Sequence, residues 1–264
     1  MIIALVDNGS LEPAAHRNLS AVAAALAART KLTVHAVSWK HSDRIASAAL
    51  DDVPAWTIAS FVRTMAARGQ RDFVFVPFFI SAQGAIGSAL RRDLEELQAE
   101  LTHFEFTLTD GLAARGVIPA IVGARIRETI VSRQLTKPSV IVVDHGGPSP
   151  ASAALRDVLA AELGRQLGTA IGALAAASME GNHRPLLADQ LGAADFAQRD
   201  VVVAPLFLSP GRHAGPDGDV AQICAGSAAR CHLTGLVGTH PLAVDALAAA
   251  LQDTLSARHA PTFV

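Results

Sequence analysis

Two stretches of this chain repeat one another. Ala4-Leu5-Val6-Asp7-Asn8-Gly9 aligns with Ile141-Val142-Val143-Asp144-His145-Gly146. Further on, Arg71-Asp72-Phe73-Val74-Phe75-Val76-Pro77-Phe78-Phe79-Ile80-Ser81 aligns with Arg199-Asp200-Val201-Val202-Val203-Ala204-Pro205-Leu206-Phe207-Leu208-Ser209. A duplicated chain must fold into one small architecture made twice, which excludes most folds before any single residue is read. The apolar runs in the first half are Ile2–Val6, Leu32–Trp39, Phe73–Phe79 and Phe104–Leu108. Those in the second are Ser139–Val143, Ala170–Ala177, Val201–Phe207 and Cys231–Val237. Each has strand length and is followed by an alanine-rich stretch of helical period. Strands alternating with helices imply βαβ crossovers and a parallel sheet covered on both faces. The expected fold class is α/β, with two similar domains, each a four-stranded parallel sheet flanked by helices.

The predicted helices are Pro13–Ala28, Pro54–Arg68, Ala85–Leu101 and Pro119–Ser132, then Ala151–Gln166, Pro185–Phe196, Asp217–Ala228 and Pro241–Ser256. Proline near several of their starts costs no hydrogen bond, and Asp51 and Asp52 read as N-caps ahead of Pro54. A length of 264 residues suits two domains. The repeat divides them at residues 1–135 and 136–264, with Thr136–Pro138 as a short linker. Ligands of open α/β sheets bind outside the carboxyl ends of the strands, so two such units are expected to face each other across a cleft.

Lys and Arg total 22 against 24 Asp and Glu, a balance that argues against a nucleic-acid partner. An anionic ligand would need a local basic patch. Half of the residues are apolar, which excludes a disordered chain. The uncharged stretch Gln166–Met179 is too short to span a bilayer, and Met1 leads into IIALVD with no basic leader region. Cys224 and Cys231 match no disulfide framework or zinc ribbon and read as free thiols. The expectation is a soluble cytoplasmic protein without a membrane partner, a monomer or homodimer.

The two halves differ where chemistry belongs, at the strand ends. His145 stands where the first half has Asn8. Ser178-Met179-Glu180 falls opposite Ser38-Trp39-Lys40, and Ser209-Pro210-Gly211-Arg212-His213 opposite Ser81-Ala82-Gln83-Gly84-Ala85. The second half therefore offers two imidazoles and a carboxylate on three strand ends. That set suits a borderline divalent transition metal, and so few protein ligands leave coordination positions open, as in a site that hands a metal over. Glu180 is alternatively a proton acceptor. Arg212, beside His213, and Arg184, four residues after Glu180, are candidate carboxylate contacts.

On these residues the chain resembles the class II tetrapyrrole chelatases. Asp144-His145-Gly146-Gly147 after a strand is similar to their His-Gly-Ser opening. Pro205 to His213, followed by Asp217, is similar to their second signature of an apolar strand, Gly-x-His and a nearby Asp. Glu180 falls where that family carries an acidic residue. The group most similar is the duplicated long form of the sirohydrochlorin cobalto- and ferrochelatases of the CbiX type. The resemblance implies insertion of cobalt or iron, or nickel, into sirohydrochlorin or a related tetrapyrrole. It implies His145 and His213 as metal ligands, with Glu180 completing the catalytic set. It further implies Arg212, Ser209 and Arg184 on the substrate carboxylates, and no cofactor beyond the divalent metal substrate, Co2+, Fe2+ or Ni2+. Gly147-Pro148-Ser149-Pro150 stands where the family has Ser and then Arg or Asp. That departure motivates the alternative, a non-catalytic tetrapyrrole or metal carrier on the same scaffold.

Overall fold

The computed structural model describes residues 1–80, 85–147 and 150–259. The strands are β1 (Ile2–Asp7), β2 (Val34–Ser38), β3 (Trp56–Thr57), β4 (Asp72–Pro77), β5 (Glu105–Leu108), β6 (Ser139–Asp144), β7 (Leu174–Ser178), β8 (Asp200–Pro205) and β9 (Arg230–Leu233). The α-helices are α1 (Pro13–Thr30), α2 (Ile58–Ala67), α3 (Ala85–Glu100), α4 (Ile118–Ser132), α5 (Pro150–Leu167), α6 (Leu187–Leu191), α7 (Asp219–Ala225) and α8 (Pro241–His259). One sheet runs β3-β2-β1-β4-β5 and the other β7-β6-β8-β9, and every pairing is parallel.

The α/β expectation holds, with one correction. The first sheet has five strands, because Trp56–Thr57 adds a short edge beside Val37 and Ser38. Thr57 also caps α2 in a reciprocal box with Ser60, so Asp51 and Asp52 are not its caps. Both instead sit in the left-handed region, at φ 54° and 61°. In the second half the same edge is reduced to a single bridge between Ser178 and Leu186. The helix expected over Pro185–Phe196 contracts accordingly to Leu187–Leu191.

The compact units do not coincide with the sequence halves. Unit 1 joins Met1–Val117 to Pro241–Val264, and unit 2 is Ile118–His240. The helix ending each repeat therefore belongs to the other repeat's sheet: α4 packs on α5 and β8, and α8 packs on α1 and β4. The apolar stripes account for this membership. Ile118, Ile121, Val122 and Ile126 of α4 are buried, as are Ala243, Leu247, Ala250 and Leu251 of α8. The segment read as a linker, Thr136–Pro138, accordingly lies inside unit 2, between α4 and β6.

Each sheet is apolar on both faces, as a covered parallel sheet must be. In unit 1, Ala4, Val6, Phe73 and Phe75 meet Phe61 and Val62 of α2 and Leu90, Leu94 and Leu97 of α3. Strand alternation turns Ile3, Leu5, Val74 and Val76 to the opposite face, and all four are buried. In unit 2, Ile141, Val143, Val201 and Val203 meet Leu187 and Leu191 of α6 and Val220 and Cys224 of α7. The central strands β1 and β6 thus end in fixed positions, and residues just beyond them are well placed to serve as a site.

Candidate metal site at the ends of β6, β7 and β8

In unit 2 the chain runs from β6 to β7 on one side and then to β8 on the other. The crevice beyond β6 and β8 is the switch point at which open α/β sheets bind ligands. His145 follows β6, Glu180 follows β7 by two residues, and His213 lies in the loop after β8. The fold brings together these three residues, which lie far apart in sequence. His145 Nε2 and His213 Nε2 stand 3.3 Å apart, and Glu180 Oε1 is 3.5 Å from His145 Nε2. The two imidazole planes are nearly perpendicular, at 84°. Phe207, just past β8, lies 6.4 Å from each imidazole, giving the site one apolar wall.

Asp219, the first residue of α7, joins the site although the sequence motif points to Asp217 instead. Its Oδ2 is 2.6 Å from His213 Nδ1. A carboxylate accepts only, so Nδ1 carries the proton and donates it. In the neutral ring Nε2 is then the lone-pair nitrogen, and it faces His145. This carboxylate–imidazole pairing is the usual support of a metal-binding histidine. The loop that makes it is closely folded. Asp219 N–H donates to the Arg212 carbonyl at 3.2 Å and Val220 N–H to the His213 carbonyl at 3.1 Å. Gly218 has no room for a side chain, since a Cβ would lie 2.7 Å from the Arg212 oxygen. The available signal is an acidic residue on a helix start six positions after a Gly-x-His.

Backbone pairing continues past the strands: Glu180 N–H donates to the His145 carbonyl at 3.3 Å. Gly146 makes the close approach possible. It has φ +89°, and a Cβ there would stand 1.8 Å from the Glu180 carbonyl oxygen. Gly146→Ala is therefore expected to force apart the strand ends that carry His145 and Glu180. Left-handed strain alone costs about 1–3 kcal/mol. Gly147, where a Cβ would meet nothing within 4 Å among the described residues, supplies the control. Thermal melts and Co2+ titrations should show Gly146→Ala impaired in both and Gly147→Ala near wild type.

The other sequence candidates sit less centrally. Arg212 Nε lies 3.8 Å from Asp219 Oδ2 and is largely exposed, so it flanks the imidazoles with its charge open to solvent. Arg184 pairs instead with Asp189 at 2.6 Å. Ser209 is half-buried in the loop leading to His213. Pro148 and Ser149, where the opening motif departs from the chelatase pattern, lie outside the described residues, as do Ser81 to Gly84. Cys224 is buried and Cys231 half-buried, both as free thiols. Among the described residues, no group of three or more His, Cys, Asp or Glu side chains is placed to hold a metal ion, so the candidate ligands are the two imidazoles, with Glu180 beside them. No helix among the described residues is long and apolar enough to cross a membrane.

The sequence model of the CbiX family matches residues 2–129 and again 139–254. The chain belongs to the CbiX family. The resemblance read from the His145 and His213 motifs thus holds for the family, and both CbiX repeats are present. No curated protein matches the chain. Among solved structures, SirB from Bacillus subtilis, determined with Fe3+, is similar with a TM-score of 0.67 at 13% identity, covering 96% of each chain. CbiX, the terminal enzyme for siroheme biosynthesis in denitrifying bacteria, has a TM-score of 0.66 at 19% identity, covering 96% of this chain and 99% of its own. DR2241 from Deinococcus radiodurans, a multi-domain protein with structural similarity to chelatases, has a TM-score of 0.60 at 19% identity, covering 94% of this chain and 54% of its own. At such identities the likeness establishes the fold of this CbiX-family chain. Its chemistry rests on its own residues.

Proposed function

We propose that this chain inserts a divalent metal, cobalt, iron or nickel, into sirohydrochlorin or a related tetrapyrrole. The observation that carries the reading is the pair of imidazole nitrogens 3.3 Å apart at the switch point of unit 2. Two imidazole nitrogens at that separation can both reach one metal ion at metal–nitrogen distances of about 2.0–2.1 Å. Membership of the CbiX family and the similarity to SirB and CbiX support the same chemistry.

In this reading His145 and His213 hold the incoming metal, and Asp219 keeps the His213 lone pair turned toward it. Two protein ligands leave positions open for macrocycle nitrogens, so the metal can leave the protein as it enters the product. Insertion of a dication displaces two pyrrole N–H protons. Glu180, half-exposed beside His145, is the base placed to accept one of them, and the other passes to solvent. Phe207 offers a ring to the flat face of the substrate. Arg212, Ser209 and Arg184 serve its carboxylates, Arg212 most directly. The divalent metal is substrate, and the reaction calls for no nucleotide or redox cofactor. The work is done by a cytoplasmic monomer or homodimer.

The test is an absorbance assay of sirohydrochlorin with Co2+, Fe2+ or Ni2+, with and without the purified protein. Faster metallation with protein is expected. A bound and shifted spectrum with no acceleration would favour a carrier.

A further inference from the structure

The two units solve the same packing problem beneath β1 and β6 in different ways. Asp7 ends β1 opposite Ser38 of β2, and Asp144 ends β6 opposite Ser178 of β7. The helix that follows each central strand begins with proline. Its seventh residue is Leu19 in α1 but Arg156 in α5. Leu19 is fully buried, and Arg156 is only 2% exposed. A guanidinium at a position where the sister unit uses leucine is costly to bury unless it is well paired. Here it is. Arg156 Nη1 donates to Ser178 Oγ at 2.5 Å and lies 3.6 Å from Asp144 Oδ1. Its Nε donates to Asp157 Oδ1 at 2.9 Å. Ser178 Oγ in turn donates to Asp144 Oδ1 at 2.7 Å.

We infer that Arg156 is a positioning residue for the metal site: it clamps the ends of β6 and β7, from which His145 and Glu180 project. The inference rests on the reading that the two imidazoles hold the metal. His145 and Glu180 side chains are 47% and 58% exposed, so their own packing fixes them little. Their geometry must come from the backbone beneath. Backbone pairing there is common to both units: Trp39 and Lys40 donate to Asp7 and Asn8 just as Met179 and Glu180 donate to Asp144 and His145. What unit 2 adds is one buried cation joined to both strand ends and to its own helix. The addition occurs in the unit that carries His145 and is missing from the one that carries Asn8. Groups that orient metal ligands from behind typically change affinity about 10–100-fold when removed.

The test is Arg156→Leu, which reproduces the Asp7–Ser38–Leu19 arrangement that unit 1 already folds with. Arg156→Leu with Asp144→Asn serves as a second variant that leaves no unpaired buried charge. Both are expected to keep the far-UV circular dichroism of the wild type. Both should bind Co2+ about 10–100-fold more weakly, with a displaced or weakened visible ligand-field band. That band reports ligand geometry, which a purely structural role would leave unchanged. Wild-type Co2+ affinity and an identical band in the folded variants would overturn the inference. So would failure of both to fold, which would make Arg156 a structural residue. If the wild type itself bound no Co2+, or if His213→Ala bound it normally, the reading of the imidazole pair would fall first and the inference with it.

Discussion

His213→Ala is expected to abolish assisted metal insertion while leaving the fold intact. His213 supplies one of two nitrogens that converge at 3.3 Å, and the Asp219 carboxylate behind it has no other ring to orient. His145→Ala removes the other nitrogen and Glu180's nearest neighbour in the site. Each variant should lower the insertion rate by at least two orders of magnitude. The double variant should lose little more, because ligands of one ion act as a unit. Neither side chain is fully buried, so melting temperatures should stay close to wild type. Single-turnover metallation of sirohydrochlorin measures the loss. If both single variants inserted metal at the wild-type rate, the proposed site would be wrong.

The second large effect concerns the stability of unit 1. Asp7 lacks the cation that its counterpart Asp144 has in Arg156. Burial pushes its carboxyl up to about 6, although the hydrogen bonds from Ser38 and the Gly9 backbone oppose the rise. A carboxyl raised in the folded state above its unfolded value favours folding while protonated. Its contribution is complete below about pH 4 and is lost as pH rises through about 6. A rise from about 4 to about 6 corresponds to about 3 kcal/mol. Asp7→Asn keeps an oxygen acceptor for Gly9 N–H and never ionises. It should therefore stabilise unit 1 by up to about 3 kcal/mol at pH 7–8, raising its melting temperature by up to roughly 10 °C, and leave it unchanged near pH 4. Paired thermal melts across that range check this. A gain independent of pH would show that ionisation of Asp7 is not its source.

The metal ligands are readable in the sequence because the repeat supplies its own comparison. His145 against Asn8 and His213 against Ala85 are differences at strand ends, where a parallel sheet gathers its functional groups. The residues behind them are not readable in that way. Asp219 is one of two aspartates at a helix start, and only the fold of the loop from Gly211 to Gly218 decides which one meets His213. Arg156 sits in an alanine-rich helix whose rotation over the sheet is set by packing. The same alignment that singles out His145 places Arg156 against Leu19, so the signal is present away from the strand ends. The exchange of α4 and α8 leaves no trace in periodicity. Both helices carry an apolar stripe, and a stripe does not say which of two similar sheets it will cover. Trp56–Thr57 is too short a strand to have a period at all.

The exchanged helices also give the molecule an order of assembly. Unit 2 is one continuous stretch of chain, whereas unit 1 needs residues from both ends of the chain. A ribosome makes most of unit 1 before unit 2 and supplies α8 only after it. While residues 118–240 are being made and folded, α1 and the face of β4 meant for α8 remain without their cover. The discontinuous unit thus waits on a helix made only after the whole of the other unit, and its uncovered apolar face is open to aggregation for that interval.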